Sequence, residues 1–158
     1  MRLKSVLSVF VAFVLVLVFT QNAFAMTGIG DTKENAIALF PETDSSGFMH
    51  QRFDLYIDSA SDQDWFKWKN TTGENLSVFA AIQPKDRNSY LRVGMIIQYP
   101  SGQETTIFYS DPSYGPGNAQ TLSGFYLPPG ATVYIKVDSR TFGTPCQYMF
   151  IFELTKFL

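Results

Sequence analysis

The feature that most constrains this chain is a hydrophobic period of two. From about residue 48 onward, apolar side chains fall on alternate positions in run after run. Phe53, Leu55 and Ile57 alternate with Asp54, Tyr56 and Asp58, and Leu76, Val78, Ala80 and Ile82 repeat the pattern. Leu91, Val93, Met95, Ile97 and Tyr99 follow, then Val133, Ile135 and Val137, and Tyr148, Phe150, Phe152 and Leu154 close the series. Successive side chains of a strand point to opposite faces, so this spacing predicts strands with one face buried. Shorter runs at 65–69, 105–109 and 120–127 add candidates. Between the runs stand Thr72-Gly73-Glu74, Pro100-Ser101-Gly102, Gly115-Pro116-Gly117-Asn118 and Pro128-Pro129-Gly130. Such residues supply positive φ or fix φ without a donor, which ends a ladder and turns the chain, and Gly130 is the expected positive-φ position of a hairpin joining Leu127 to Val133. Seven or eight short strands punctuated in this way predict an all-β fold, an antiparallel β-sandwich of jelly-roll-like form. The one helical candidate is a turn or two within 32–40, ended by Pro41.

The N-terminus follows a different rule. Met1-Arg2-Leu3-Lys4 is followed by a 14-residue, almost wholly apolar run from Val6 to Phe19, and then by Ala23-Phe24-Ala25. A positive start, an apolar middle and a small-x-small ending predict a signal peptide over 1–25, cleaved after Ala25. The run is shorter than the roughly 20 residues that span a bilayer. The expected mature product is thus one secreted domain, 26–158, soluble and extracellular, with no membrane attachment after cleavage. Losing Arg2 and Lys4 moves the formal charge from −2 to −4. A mildly acidic chain argues against nucleic acid or an anionic membrane as partner, since both attract clustered Lys and Arg. One Cys and one His, Cys146 and His50, leave no disulfide framework and no Cys/His zinc site. Cys146, beside Pro145 and Gln147, has no neighbouring cation to make it reactive and reads as a buried small hydrophobe.

Three segments, in order, resemble the bacterial pre-peptidase C-terminal domain family. They are Asp31-Thr32-Lys33-Glu34-Asn35-Ala36-Ile37-Ala38-Leu39, then Asp62-Gln63-Asp64-Trp65-Phe66-Lys67-Trp68 with Gly73-Glu74-Asn75-Leu76-Ser77-Val78, and Leu127-Pro128-Pro129-Gly130 running to Val137. Tyr148-Met149-Phe150 is similar to the family's closing strand. The resemblance covers about 30–154 and implies a small β-sandwich accessory module of exported bacterial enzymes. It also implies a calcium site in some members, between the leading segment and the D-x-D turn, where Glu34, Asn35, Asp62 and Asp64 stand here. Calcium takes six to eight oxygens, and no contiguous D-x-D-x-D-G loop supplies them, so the alternative is two ordinary turn carboxylates and no cofactor. In that alternative Asp62 and Asp64 both accept backbone N–H groups at the start of a strand.

Binding through aromatic side chains is the principal functional expectation. After the leader the chain keeps 11 Phe, 8 Tyr and 2 Trp, more than alternate burial absorbs. Tyr and Trp pair an apolar face with a polar edge, suited to sugar rings or peptide. Tyr109, Tyr114, Tyr126 and Trp65 are the candidate binding surface, with the loop 111–117 as its centre. The expected partner is an extracellular polysaccharide or protein, and the expected role is a non-catalytic binding module. A calcium-stabilised structural or partner-docking domain is the alternative. A small secreted hydrolase is a remote third, since His50 is the sole imidazole and no G-x-S-x-G elbow exists.

Overall fold

The computed structural model describes residues 30–157, so the expected signal peptide over 1–25 and the expected cleavage after Ala25 lie outside the described residues. Ten strands form two five-stranded sheets. They are β1 (Ile37–Ala38), β2 (Glu42–Thr43), β3 (Met49–Ile57), β4 (Gln63–Lys69) and β5 (Leu76–Pro84), then β6 (Tyr90–Gln98), β7 (Phe108–Tyr109), β8 (Gln120–Leu127), β9 (Thr132–Thr141) and β10 (Cys146–Lys156). Sheet A has the order β1-β4-β9-β6-β7 and sheet B the order β2-β3-β10-β5-β8. Without the ribbons β1 and β2, these are the two four-stranded layers of a jelly roll. All pairings are antiparallel except that of β1 with β4. Ten strands exceed the expected seven or eight because β1 and β2 are only two residues long and show no alternation.

The alternation has its predicted outcome. Val93, Met95, Ile135, Val137, Val78, Ile82, Phe150 and Phe152 are all buried between the sheets. Phe66 of β4 stacks on Phe150 of β10 at 4.4 Å between ring centroids, and Phe53 of β3 packs on both. Each such side chain contributes about 1.5–3 kcal/mol on leaving water, so this aromatic cluster is a main tie between the layers. Cys146 opens β10 and is buried. No helix among the described residues is long and apolar enough to cross a membrane.

Two local expectations are corrected. Residues 32–40 are not helical: 32–36 make turns through Asn35 N–H to Thr32 O and Ala36 N–H to Lys33 O, and the chain then extends as β1. Ala36 and Leu39 are spaced like a helical stripe, yet both reach the core from this extended path. Pairing with the open edge of β4 satisfies more backbone groups than one isolated helical turn could. Gly130, at φ 79°, does not close a hairpin: β8 and β9 belong to different sheets, so the turn is an arch between layers. Buried Asn70 holds it by donating from Nδ2 to Leu127 O, while its backbone N–H donates to Ala131 O.

Candidate functional site

Strand parity places the candidate site on the outward face of sheet A. With Phe66, Val93 and Ile135 turned inward, Trp65, Arg92, Gly94, Tyr134, Lys136 and Asp138 must turn outward. Register then aligns Trp65 of β4 with Lys136 of β9, Lys136 with Gly94 of β6, and Gly94 with Tyr109 of β7. Three strand spacings separate the backbones at the two ends, roughly 14 Å. Gly94 is what lets this row lie flat. A Cβ there would stand 2.8 Å from both Ile107 Cδ1 and Tyr109 Cε1, so the ring rests directly on the glycine.

Charge organises the row. Arg92 Nε and Nη2 donate to the two carboxylate oxygens of Asp138 at 2.6 and 3.0 Å, and Lys136 Nζ is 2.7 Å from Asp138 Oδ2. The Arg92 fork is bidentate, the strong form of such a pair. Burial pushes the Asp138 carboxyl up, but Arg92 and Lys136 outweigh it and hold it below its ordinary value. The same pair raises Arg92. Each cation also lies on a ring: Arg92 is 4.2 Å from the centre of Tyr109 and Lys136 5.7 Å from that of Trp65. Arg140 lies 5.3 Å over Tyr90, and Lys33 lies 4.7 Å over Tyr134 while pairing with Glu104. All four cation–π contacts among the described residues are on this one face. Trp65 Nε1 and Arg140 Nε are buried donors with no hydrogen-bond partner among the described residues.

Of the four predicted binding aromatics, Trp65 and Tyr109 share this row. Tyr114 is apart from it, exposed in a 3-10 turn (Pro112–Tyr114) held by Asp111, whose carboxylate accepts from Ser113 N–H at 2.8 Å. Tyr90 OH donates to Pro112 O, which ties that turn to the rim of the face. Tyr126 lies on the outward side of sheet B, donating to Asn75 Oδ1 at 2.9 Å with Phe157 against its ring. The cations Arg92, Lys136 and Arg140 were not among the sequence candidates. Their outward parity in β6 and β9 was readable; the pairing that gathers them was not.

The predicted calcium quartet is divided. Asp62 keeps the expected turn role, accepting from Asp58 N–H at 2.6 Å, and burial raises its pKa. Asp64 does not act as a turn carboxylate. It has the parity of Phe66, points between the sheets and accepts from Tyr148 OH at 2.5 Å. Burial drives its carboxyl up to about 7; the Tyr148 bond opposes this, and the charges of Asp62, Asp31 and Asp58 add to it. Burial and Asp64 together raise the Tyr148 phenol well above its ordinary value. Glu34 is exposed, and the Asn35 N–H serves the turn with Thr32. Asp31, rather than Glu34, is the leading-segment carboxylate whose charge acts on Asp62 and Asp64. Among the described residues, no three His, Cys, Asp or Glu side chains are grouped so as to hold a metal ion.

No protein-family model matches the chain, and no curated protein does. Several solved structures are similar to it, three of which follow. One is the pre-peptidase C-terminal domain of a collagenase from Bacillus anthracis, at TM-score 0.46 and 10% identity over 65% of this chain and 88% of that one. Another is a CBM36 carbohydrate-binding module in complex with calcium and xylotriose, at TM-score 0.38 and 15% identity over 63% and 78% of the two chains. The third is the CBM36-1 domain of a multidomain xylanase from the hindgut metagenome of Trinervitermes trinervoides, at TM-score 0.41 and 11% identity over 80% and 94%.

Proposed function

We propose that this chain is an exported, non-catalytic binding module whose sheet A face takes an extracellular polysaccharide. The observation that carries the reading is the row from Trp65 to Tyr109: rings and hydrogen-bonding side chains set across four strands whose ladders fix their spacing. A rigid, flat strip suits a chain of rings better than a globular partner, because little side-chain entropy is lost on contact. The groups a hydrolase would need are dispersed: His50 is exposed and stacked on Phe48, and Cys146 is buried. Electrophoresis through gels containing soluble polysaccharides tests this. The wild-type chain is expected to be retarded by at least one of them, and Trp65→Ala with Tyr109→Ala to migrate freely. Tyr126→Ala, on the opposite sheet, is expected to behave as wild type. Equal retardation of all three chains would remove the face from consideration.

A second reading places a structural calcium ion at the Asp62–Asp64 end. It is favoured by the like charges of Asp31 and Asp58 acting on Asp62 and Asp64, which a cation would offset. Thermal melting in millimolar calcium is expected to exceed that in chelator by several degrees, following mass action. Coincident melting curves would eliminate it.

A further inference from the structure

We infer that the polysaccharide taken by sheet A is an acidic one, bearing carboxylates along its chain. This rests on the polysaccharide reading above and names the ligand class within it. The acidic net charge conceals a segregation. Sheet A carries Lys67, Lys69, Arg92, Lys136 and Arg140 on its outward side, with Lys33 laid over Tyr134: six of the ten Lys and Arg residues within 30–157. Against them stand Asp138 and Glu104, with Asp111 at the rim near Arg140. The rest of the domain keeps four cations against 11 carboxylates. A field of this shape draws an anionic chain to one face and repels it from the others.

The rings point the same way. Trp65, Tyr90, Tyr109 and Tyr134 each already carry a cation at 4.2 to 5.7 Å. A neutral sugar seeks bare ring faces, whereas this strip presents cationic heads held in place by the rings beneath them. Asp138 fixes two of those heads at 2.6 and 2.7 Å and leaves one positive charge in excess at that point. Cations a strand apart, separated by apolar ring surface, match a polymer that alternates carboxylates with the apolar faces of its sugars. Hydrogen bonds to such carboxylates are of the strong, charge-assisted kind.

The test is affinity electrophoresis of the chain in polygalacturonate, in its methyl ester and in a neutral xylan. Retardation by polygalacturonate, lost on esterification and weakened by added salt, is the result expected. Lys67→Glu with Lys69→Glu, which leaves the Arg92–Asp138–Lys136 group intact, should bind roughly tenfold more weakly, about threefold for each pair lost. Melting at the wild-type temperature would establish that this variant is folded. Equal binding to the acid and its ester, or binding to xylan alone, would overturn the acidic assignment and leave the polysaccharide reading standing. Binding to none of the three would overturn both. Equal binding to duplex DNA or to vesicles rich in phosphatidylserine would show a general polyanion surface and overturn the commitment to a polysaccharide.

Discussion

Asp64 and Asp138 are equally buried, 9% and 8% exposed, and they stand beside each other on neighbouring strands. Register pairs Asp64 with Val137 and Asp138 with Gln63, so one carboxylate enters the interior where the other leaves it. Burial alone would raise both. Asp138 has two cations within 2.7 Å and falls below its ordinary pKa, whereas Asp64 has a phenol and three like charges and rises to about 7. The outward side of sheet A is therefore built to hold charge, and the space between the sheets is built to exclude it. Burial raises both carboxyls, and the neighbours that register brings decide whether that rise stands or is reversed.

The sharpest way to break this contrast is to remove the charge that the outward face holds. Asp138→Ala leaves Arg92 and Lys136 close together and uncompensated in a half-buried position. The expected loss is on the order of 2–3 kcal/mol, near the range for stranding one side of a buried pair. The matched change on sheet B is Asp54→Ala, whose Lys85 partner is 3.6 Å away with both side chains about 45% exposed. That pair should contribute under about 0.5 kcal/mol. Urea denaturation of the two variants measures the difference. Similar losses would mean that the Arg92–Asp138–Lys136 group is ordinary surface pairing. Because the Asp138 pKa is depressed, its stabilisation is present above the unfolded value near 3.8 and fades as pH falls through the folded one.

Much of this was legible in the sequence, and the gaps have physical causes. The long strands were readable because a half-buried strand writes its period of two directly into the residues. The ribbons β1 and β2 left no trace, since two residues cannot express a period, and the stripe of Ala36 and Leu39 imitated a helix. Trp65 and Tyr109 were identifiable as outward aromatics from local alternation. That they share a row with Lys136, with Arg92 and Asp138 in the row beside it, depends on the pairings of β4 with β9 and β9 with β6, which join Trp65, Lys136 and Gly94 across more than 40 residues, and on that of β6 with β7. Gly94 in the middle of a strand is a readable sign of close approach, but the sequence does not say that Tyr109 is what approaches. Asp64 departs from the expected turn role, and its parity with Phe66 and Trp68 is the signal that it points inside. The adjacent turn offered a simpler role for a carboxylate, and only the opposite sheet supplies Tyr148.

The interior half of the contrast can be sharpened by pH, with a smaller effect. The Asp64 pKa is raised, from 3.8 to about 7, so its folded form favours the protonated carboxyl. Its contribution is accordingly complete below pH 3.8, declines as pH rises through about 7, and changes no further above that. Asp64→Asn keeps the shape and an oxygen able to accept from Tyr148 OH, but cannot ionise. In chelator, to exclude any bound cation, the variant's stability should decline less from pH 4.5 to 8 than the wild type's, the remaining slope belonging to Asp62, whose pKa is also raised by burial. At pH 8 it should exceed the wild type by on the order of 1–2 kcal/mol, less than the full linkage value because neighbours and water relax around the charge. Asp138 does not obscure this window, since its own titration lies below 3.8. Parallel curves for the two chains would mean that Asp64 is ionised in the folded state throughout, and the interior would then tolerate charge as the outward face does.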